Sequence, residues 1–193
     1  MKTMKLIPKI LIAYEFSGTF SKLYRDAGWY VETWDKQLDG LDFRIIPYKP
    51  FDAILAFPPC THLAGSGARW WKFKGEDYLI DSLSMVDAVL RVIHYSNPKF
   101  YFIENPVGRL QRYLGKPDYY FHPYQFAGWA DKPEDEAYTK KTCLWGKFKK
   151  PVQKSVNPIH GSLMHLVPPG PERQNIRSKT PQGFARAFFE SNK

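Results

Sequence analysis

The stretch Phe51-Asp52-Ala53-Ile54-Leu55-Ala56-Phe57 runs directly into Pro58-Pro59-Cys60. Its apolar run predicts a buried strand, which the two prolines end because proline fixes φ and donates no ladder hydrogen bond. A second short apolar run, residues 99–103, predicts a strand that ends in Glu104-Asn105-Pro106. The carboxyl ends of parallel strands meet at one edge of a sheet, where open α/β proteins bind their ligands. We therefore expect Cys60 and Glu104, 44 residues apart in the sequence, to lie close together.

Strands and helices alternate around these two segments. Strands are predicted at residues 10–16 and 29–34, with a helix between them that follows Gly18. Residues 77–95 predict a long helix. Its apolar face is formed by Leu79, Leu83, Val86, Leu90 and Ile93. This alternation predicts an α/β protein with an open, mainly parallel sheet.

The C-terminal part of the chain is predicted to be less regular. Aromatic stretches near residues 119–126 and 142–148 are interpreted as later strands, with an antiparallel direction as one option, and residues 149–178 as an irregular connection. A last helix is predicted to begin near Thr180, whose hydroxyl would cap it. Its core-facing residues are expected to be Phe184, Ala185 and Phe188. The whole chain, residues 1–193, is expected to be one domain, since domains usually have about 100–200 residues.

Composition narrows the function classes. The net charge of +9 favours a polyanionic partner or an anionic cofactor, although a solvated lysine-rich surface would give the same charge. Two cysteines are too few for a disulfide framework, and a reducing cytoplasm is the expected location. The five histidines show no metal-ligand spacing, so no metal site is expected. No stretch approaches the roughly 20 apolar residues of a membrane span, so no membrane partner is expected.

Cys60 and Glu104 are the candidate catalytic pair. A thiolate is the nucleophilic form of cysteine, and a loop near helix N-termini and basic groups favours that form. A carboxylate at the end of a core strand is costly to bury unless it is paired or protonated. A protonated Glu104 could donate to a ring nitrogen while Cys60 attacks the adjacent ring carbon, which is the chemistry of pyrimidine C5 alkylation. An inert buried cysteine and an exposed loop glutamate are the alternatives.

The segment Phe16-Ser17-Gly18-Thr19 is a candidate cofactor loop. A glycine turn after the first strand lets the backbone approach a cofactor, and the following helix supplies free N–H groups. Asp35 follows the next strand, where a carboxylate commonly binds ribose hydroxyls. Asp42 is a candidate contact for an adenine amino group. An ordinary strand-to-helix turn and a surface aspartate would explain the same residues.

Two basic segments with aromatic residues are candidates for binding nucleic acid. Residues 139–154 contain six lysines and no acid, a pattern that fits a phosphate backbone or a solvated edge strand. Arg69-Trp70-Trp71-Lys72 follows Cys60 closely and is the better candidate for contacts to phosphates and bases, although its tryptophans could also pack in the core.

In these motifs the sequence resembles the cytosine-C5 DNA methyltransferases, and especially their compact phage and prophage members. Glu15-Phe16-Ser17-Gly18 is similar to the family's cofactor loop, Pro58-Pro59-Cys60 to its nucleophile motif and Glu104-Asn105-Pro106 to its acid motif. Later blocks are similar as well. These are Lys141-Thr142-Cys143-Leu144-Trp145, Pro168-Pro169-Gly170-Pro171-Glu172-Arg173 and residues 177–186.

The resemblance implies a Rossmann-like methyltransferase fold with helices on both faces of the sheet, S-adenosylmethionine as methyl donor and a flipped cytosine in DNA as target. It implies that Cys60 adds to C6 of the base and that Glu104 stabilises the adduct protonated at N3. The location implied is the cytoplasm of a bacterial or phage-infected cell. Expected cofactor contacts are Phe16, Ser17, Gly18, Asp35, Asp42 and Pro58, and expected substrate contacts are Pro59, Asn105, Arg69, Trp70, Lys141 and Arg177.

The chain also departs from the family's pattern. Thr61, Pro106 and Phe20 stand where the well-studied enzymes usually have glutamine or asparagine, valine and glycine. Residues 149–178 leave no room for the large target-recognition domain, so loose sequence preference, dimerisation, a partner or a smaller substrate is expected. RNA or a free pyrimidine nucleotide remains an alternative substrate. A non-catalytic nucleic-acid-binding relative and a thiol hydrolase are further alternatives.

Overall fold

The structure is a computed structural model that describes residues 6–35, 49–170 and 172–193. In these residues six strands form one sheet in the order β2-β1-β3-β4-β6-β5. The strands are β1 (Lys9–Ala13), β2 (Tyr30–Trp34), β3 (Ala53–Ala56), β4 (Phe100–Pro106), β5 (Tyr119–Phe121) and β6 (Thr142–Lys147). Strands β2, β1, β3 and β4 pair in parallel, while β6 is antiparallel to both of its neighbours. Strand β5 therefore runs in the same direction as β4, and the prediction of a mainly parallel α/β sheet is confirmed.

Helices cover both faces of this sheet, as expected. The α-helices are α1 (Thr19–Asp26), α2 (Trp71–Lys74), α3 (Asp77–Ser96), α4 (Gln111–Leu114), α5 (Arg173–Ser178) and α6 (Gln182–Ser191). Helix α3 packs on one face, and helices α1 and α6 pack on the other. No helix in the described part of the chain has both the length and the apolar character that crossing a membrane requires.

Each face of the sheet has its own hydrophobic core. On the α3 side, Val86, Val89 and Ile93 pack against strand residues such as Leu11 and Ile54. On the other side, the core is rich in aromatic rings, many of which are fully or almost fully buried. They include Phe20, Phe102, Phe121, Phe126, Phe184 and Phe188.

Two details of the helices differ from the sequence prediction. Leu90 of α3 is 37% exposed because it lies at the margin of the apolar stripe, whose buried centre is Val86, Val89 and Ile93. Helix α6 begins at Gln182, and its first N–H groups donate to the carboxylate of Glu136 rather than to Thr180. This cap comes from a residue 46 positions away, so no local sequence pattern could have revealed it.

The segment of residues 149–178 is irregular over most of its length, as predicted. It also contains a single 3₁₀ turn, Leu163–His165, and the short helix α5, neither of which was expected. Helix α5 lies against the candidate active site, where Arg173 and Arg177 line the cavity.

The loop that follows β3 is held against the loop that follows β4. The Gly65 N–H donates to the Val107 carbonyl, and the Arg109 N–H donates to the Leu63 carbonyl, each at 2.8 Å. Gly108 permits this approach. A Cβ at position 108 would lie 2.8 Å from Gly65 N and still closer to the Leu63 carbonyl oxygen.

Replacing Gly108 with alanine should therefore destabilise the fold. The new methyl group meets backbone atoms that cannot turn aside, and overpacking of this kind costs about 1–3 kcal/mol. Urea unfolding should report a lower midpoint with an unchanged slope. Gly170→Ala is the matched control, because a Cβ there meets nothing within 4 Å. An equal midpoint for both variants would contradict the close packing of the two loops.

Candidate active site

Strands β1, β2 and β3 end side by side at one edge of the sheet, and β4 continues beyond them to Pro106. The last residue of β1, Ala13, pairs with Trp34 of β2 and with Ala56 of β3, and Ala56 pairs in turn with Ile103 of β4. The residues that follow these four positions therefore lie along the same edge. They are Tyr14, Asp35, Phe57 and Glu104, and all four line a cavity of about 1220 Å³.

Cys60 lines the same cavity and is held by a short turn. Its carbonyl accepts hydrogen bonds from Leu63 N at 3.0 Å and from Ala64 N at 2.8 Å. The start of this loop is tied to β4, because Asn105 Nδ2 donates to the Pro58 carbonyl at 2.9 Å. The structure thus brings Cys60 and Glu104 to one cavity, with Cys60 half-buried and both cysteines of the chain free.

The pKa values of both groups are raised. Burial and then the neighbouring Glu104 carboxylate raise the pKa of the Cys60 thiol, and Lys140 and Arg177 offset this only in part, so the loop does not favour the thiolate in the way the sequence predicted. Burial also raises the pKa of Glu104, and Lys140 partly offsets that effect. The carboxyl group of Glu104 therefore keeps its proton to a higher pH than an exposed glutamate does.

Lys140 is a site residue that the sequence analysis missed. Its ammonium group donates to the Arg177 carbonyl at 2.7 Å, and it is the basic residue that acts on both Cys60 and Glu104. Arg177 in turn donates from Nη2 to Ser66 Oγ at 3.3 Å. Helix α5 therefore connects the Lys140 side of the cavity to the 3₁₀ turn Gly65–Trp70. The run of six lysines signalled a basic segment but did not distinguish Lys140 from the others.

His122 is a second residue that was missed. It follows β5, lines the cavity and has a buried Nδ1 atom without a hydrogen-bond partner among the described residues. Burial and Lys141 lower the pKa of the imidazole, which favours its neutral form. The predicted strand at residues 119–126 concealed this position, because the observed strand stops at Phe121 and leaves His122 at the sheet edge.

At the expected cofactor loop, the N-terminus of helix α1 binds a side chain of the protein itself. The buried Glu15 carboxylate accepts from Phe20 N at 2.7 Å and from both Ser21 N and Ser21 Oγ, so these first N–H groups of α1 are not free for a ligand. Phe16 and Ser17 line the cavity, and Gly18 supplies the turn with a φ of 65°.

Most of the other predicted contacts line the cavity. Asn105 is fully buried, and its amide is used on Pro58. Lys141 lies with its ammonium 4.6 Å from the centre of the Tyr120 ring. Asp42 lies outside the described residues. The remaining predicted contacts line the cavity, and they are Asp35, Pro58, Pro59, Arg69, Trp70, Lys141 and Arg177. Within the described ranges, no three histidine, cysteine or acidic side chains group in a way that could hold a metal ion.

Two known proteins that are similar to the chain are named as DNA methyltransferases. It is 27% identical over 178 residues to the "Probable DNA (cytosine-5)-methyltransferase" of Frog virus 3 (isolate Goorha), a match that covers 79% of this chain and 82% of the viral protein. A solved structure also matches, with a TM-score of 0.43 and 13% identity. It is a protein encoded within a prophage of E. coli and named as a DNA modification methyltransferase, and the match covers 72% of this chain and 46% of that one.

The chain thus spans less than half the length of the prophage protein. No family model matches the chain. The similarity to the viral protein extends over most of both sequences. The chain thus resembles, over most of its length, a protein named as a probable DNA (cytosine-5)-methyltransferase.

Proposed function

We propose that the protein transfers a methyl group from S-adenosylmethionine to C5 of a cytosine in DNA. The observation that carries this proposal is the position of Cys60 and Glu104 on one cavity at the carboxyl edge of the sheet. The name of the viral relative supports cytosine in DNA rather than RNA or a free nucleotide as the target. The presence of both the thiol and the carboxyl group argues against a relative that only binds nucleic acid.

In the proposed reaction one side chain supplies electrons to the ring and the other supplies a proton. The Cys60 thiolate forms a bond to C6, and Glu104 donates its proton to N3, which takes up the charge that the attack creates. C5 would take the methyl group as the donor's bond between sulfur and methyl breaks, with the electron pair left on the sulfur, and C5 would then release its own proton. The C6–S bond breaks, the thiolate returns to Cys60, and Glu104 recovers the proton from N3. The net change is a methyl group on C5 and one proton released.

The residues at the first two strand ends fit the methyl donor. Asp35 offers a carboxylate to ribose hydroxyls, and Phe16, which is 46% exposed, offers a ring beside the cavity. Glu15 occupies the first N–H groups of α1, and burial raises the pKa of its carboxyl group, so the helix start is not an anion site. When bound, S-adenosylmethionine supplies an electrophilic methyl group on a positively charged sulfur.

Covalent trapping tests the proposal directly. In the presence of S-adenosylmethionine, a DNA oligonucleotide that contains 5-fluorocytosine should form a stable adduct, because after methyl transfer C5 carries fluorine in place of the proton whose loss would release Cys60. Cys60→Ser should abolish the adduct, detected as a gel shift, while Cys143→Ala should keep it. Cys143 is a suitable control because burial and the nearby Glu104 raise the pKa of its thiol to about 11. An adduct that survives Cys60→Ser would refute the covalent role of Cys60.

Lys140→Gln should shift the pH dependence of the Cys60 thiol. Lys140 lowers the pKa of Cys60, so its removal raises that pKa and reduces the thiolate fraction at any given pH. The rate of alkylation by iodoacetamide should therefore rise at a higher pH than in the wild type. Lys22→Gln, on the exposed surface of α1, should leave the profile unchanged. A profile that stays where it is in the wild type, or that moves to lower pH, would contradict the effect of Lys140 on the Cys60 thiol.

Asp35→Asn should weaken binding of the methyl donor. Hydrogen bonds to a charged group contribute about 1.5–3 kcal/mol, which corresponds to about 10- to 100-fold in affinity. Titration calorimetry with S-adenosylmethionine measures this loss without requiring activity. Asp26→Asn, on the exposed side of α1, is the control. Equal affinities for the two variants would remove Asp35 from the donor site.

A further inference from the structure

An exposed aromatic segment borders the candidate active site. Residues 65–74, which we call the rim segment, comprise the 3₁₀ turn Gly65–Trp70 and helix α2. Trp70 is 50% exposed and Phe73 is 80% exposed, and their ring centres are 6.4 Å apart. Trp70 also lines the cavity that holds Cys60. These two rings therefore present exposed aromatic surface next to the site where a base would react.

The rim segment is also basic. It carries Arg69, Lys72 and Lys74 and no acidic residue, and the Arg69 guanidinium lies 5.1 Å from the centre of the Trp70 ring. The cavity wall next to the rim segment presents Lys140, Lys141, Arg173 and Arg177, and Arg177 also donates to Ser66 of the rim segment. A chain of phosphates that follows the rim segment and this wall would therefore meet positive charge along both.

The two neighbouring tryptophans have different roles. The ring of Trp71 packs under the Arg109 guanidinium, 4.0 Å from its centre, and this contact anchors the rim segment to the loop after β4. The Gly65 N–H bond to Val107 and the Arg177 bond to Ser66 fix its other end. Trp70 and Phe73 are consequently held outward by an anchored backbone and are not needed to fill the core.

We propose that the rim segment is a stacking platform for unpaired bases beside the target cytosine, and that single-stranded DNA is the preferred substrate over duplex DNA. The inference rests on the proposed function. Basic grooves with exposed aromatic rings are how proteins bind single strands, because every unpaired base offers a free face for stacking. In a duplex those faces are already stacked, and extruding a base costs a few kcal/mol.

The described part of residues 149–178 forms an irregular connection and a six-residue helix that lines the cavity. Specific duplex-binding modules bury about 600–1,000 Å² or more, which is more than such a helix presents. Base stacking on the rim segment and phosphate contacts along it and the adjoining cavity wall favour a flexible strand.

Binding of a fluorescently labelled 20-base single strand and of the duplex of the same sequence, followed by anisotropy, tests the inference. The single strand should bind at least tenfold more tightly than the duplex. Trp70→Ala and Phe73→Ala should each weaken single-strand binding by about 5- to 150-fold, the range for loss of one stacked base, and change duplex binding little. Trp70→Phe should retain most of the affinity, because it keeps an aromatic face.

Tyr30→Ala is the matched control. Tyr30 is 54% exposed but lies at the amino end of β2, on the edge of the sheet opposite the cavity, so its removal should leave binding unchanged. Equal or tighter binding of the duplex would overturn the inference, and so would single-strand binding that Trp70→Ala and Phe73→Ala leave intact. Tight single-strand binding without any methyl transfer or trapping would instead overturn the proposed function and leave the platform standing.

Discussion

The in-register pairing of β3 with β4 is the constraint on which the site depends. It sets the residues after Ala56 beside those after Ile103, and the buried Asn105 amide then closes the gap by donating to the Pro58 carbonyl. Proline cannot continue the ladder as a donor, so a side chain takes over where the backbone pattern stops. A buried carbonyl left without a donor would cost about 1–3 kcal/mol. This hydrogen bond therefore ties the segment that leads to Cys60 to the strand that carries Glu104.

This proximity couples the protonation of the two groups. An ionised Glu104 disfavours the Cys60 thiolate, whereas a protonated Glu104 does not. Because burial raises the pKa of Glu104, the carboxyl group is biased towards the form that tolerates a thiolate nearby. Lys140 and Arg177 then favour the thiolate itself. The reactive state is thus a neutral acid beside a thiolate near two cations, and the pair has to be treated as one coupled titration.

Local sequence patterns predicted the parts of this structure that depend on local physics. Apolar runs that stop at prolines or acids located the strands, although β1 ends at Ala13, before the predicted residue 16, and β4 continues beyond residue 103 to Pro106. The helical period located the buried faces of α3 and α6. Patterns of this kind could not assign Lys140 or His122, because each acquires its place from strands that pair across long intervals. The cap of α6 by Glu136 and the Arg177 bond to Ser66 are likewise long-range. The sequence patterns could not predict which polar groups contact each other, because the order and direction of the strands decide those contacts.

Under the proposed function, affinity for a strand and selection of the base fall to different groups. Phosphate contacts and stacking depend little on sequence, so the basic residues of the cavity and the rim segment would hold strands of any sequence. Selection of cytosine would fall to side chains that line the cavity with Cys60, namely Glu104 and His122. A neutral imidazole can accept a hydrogen bond from an exocyclic amino group, which cytosine has and thymine lacks. The proposed site would therefore select the base that it modifies and tolerate the neighbouring bases.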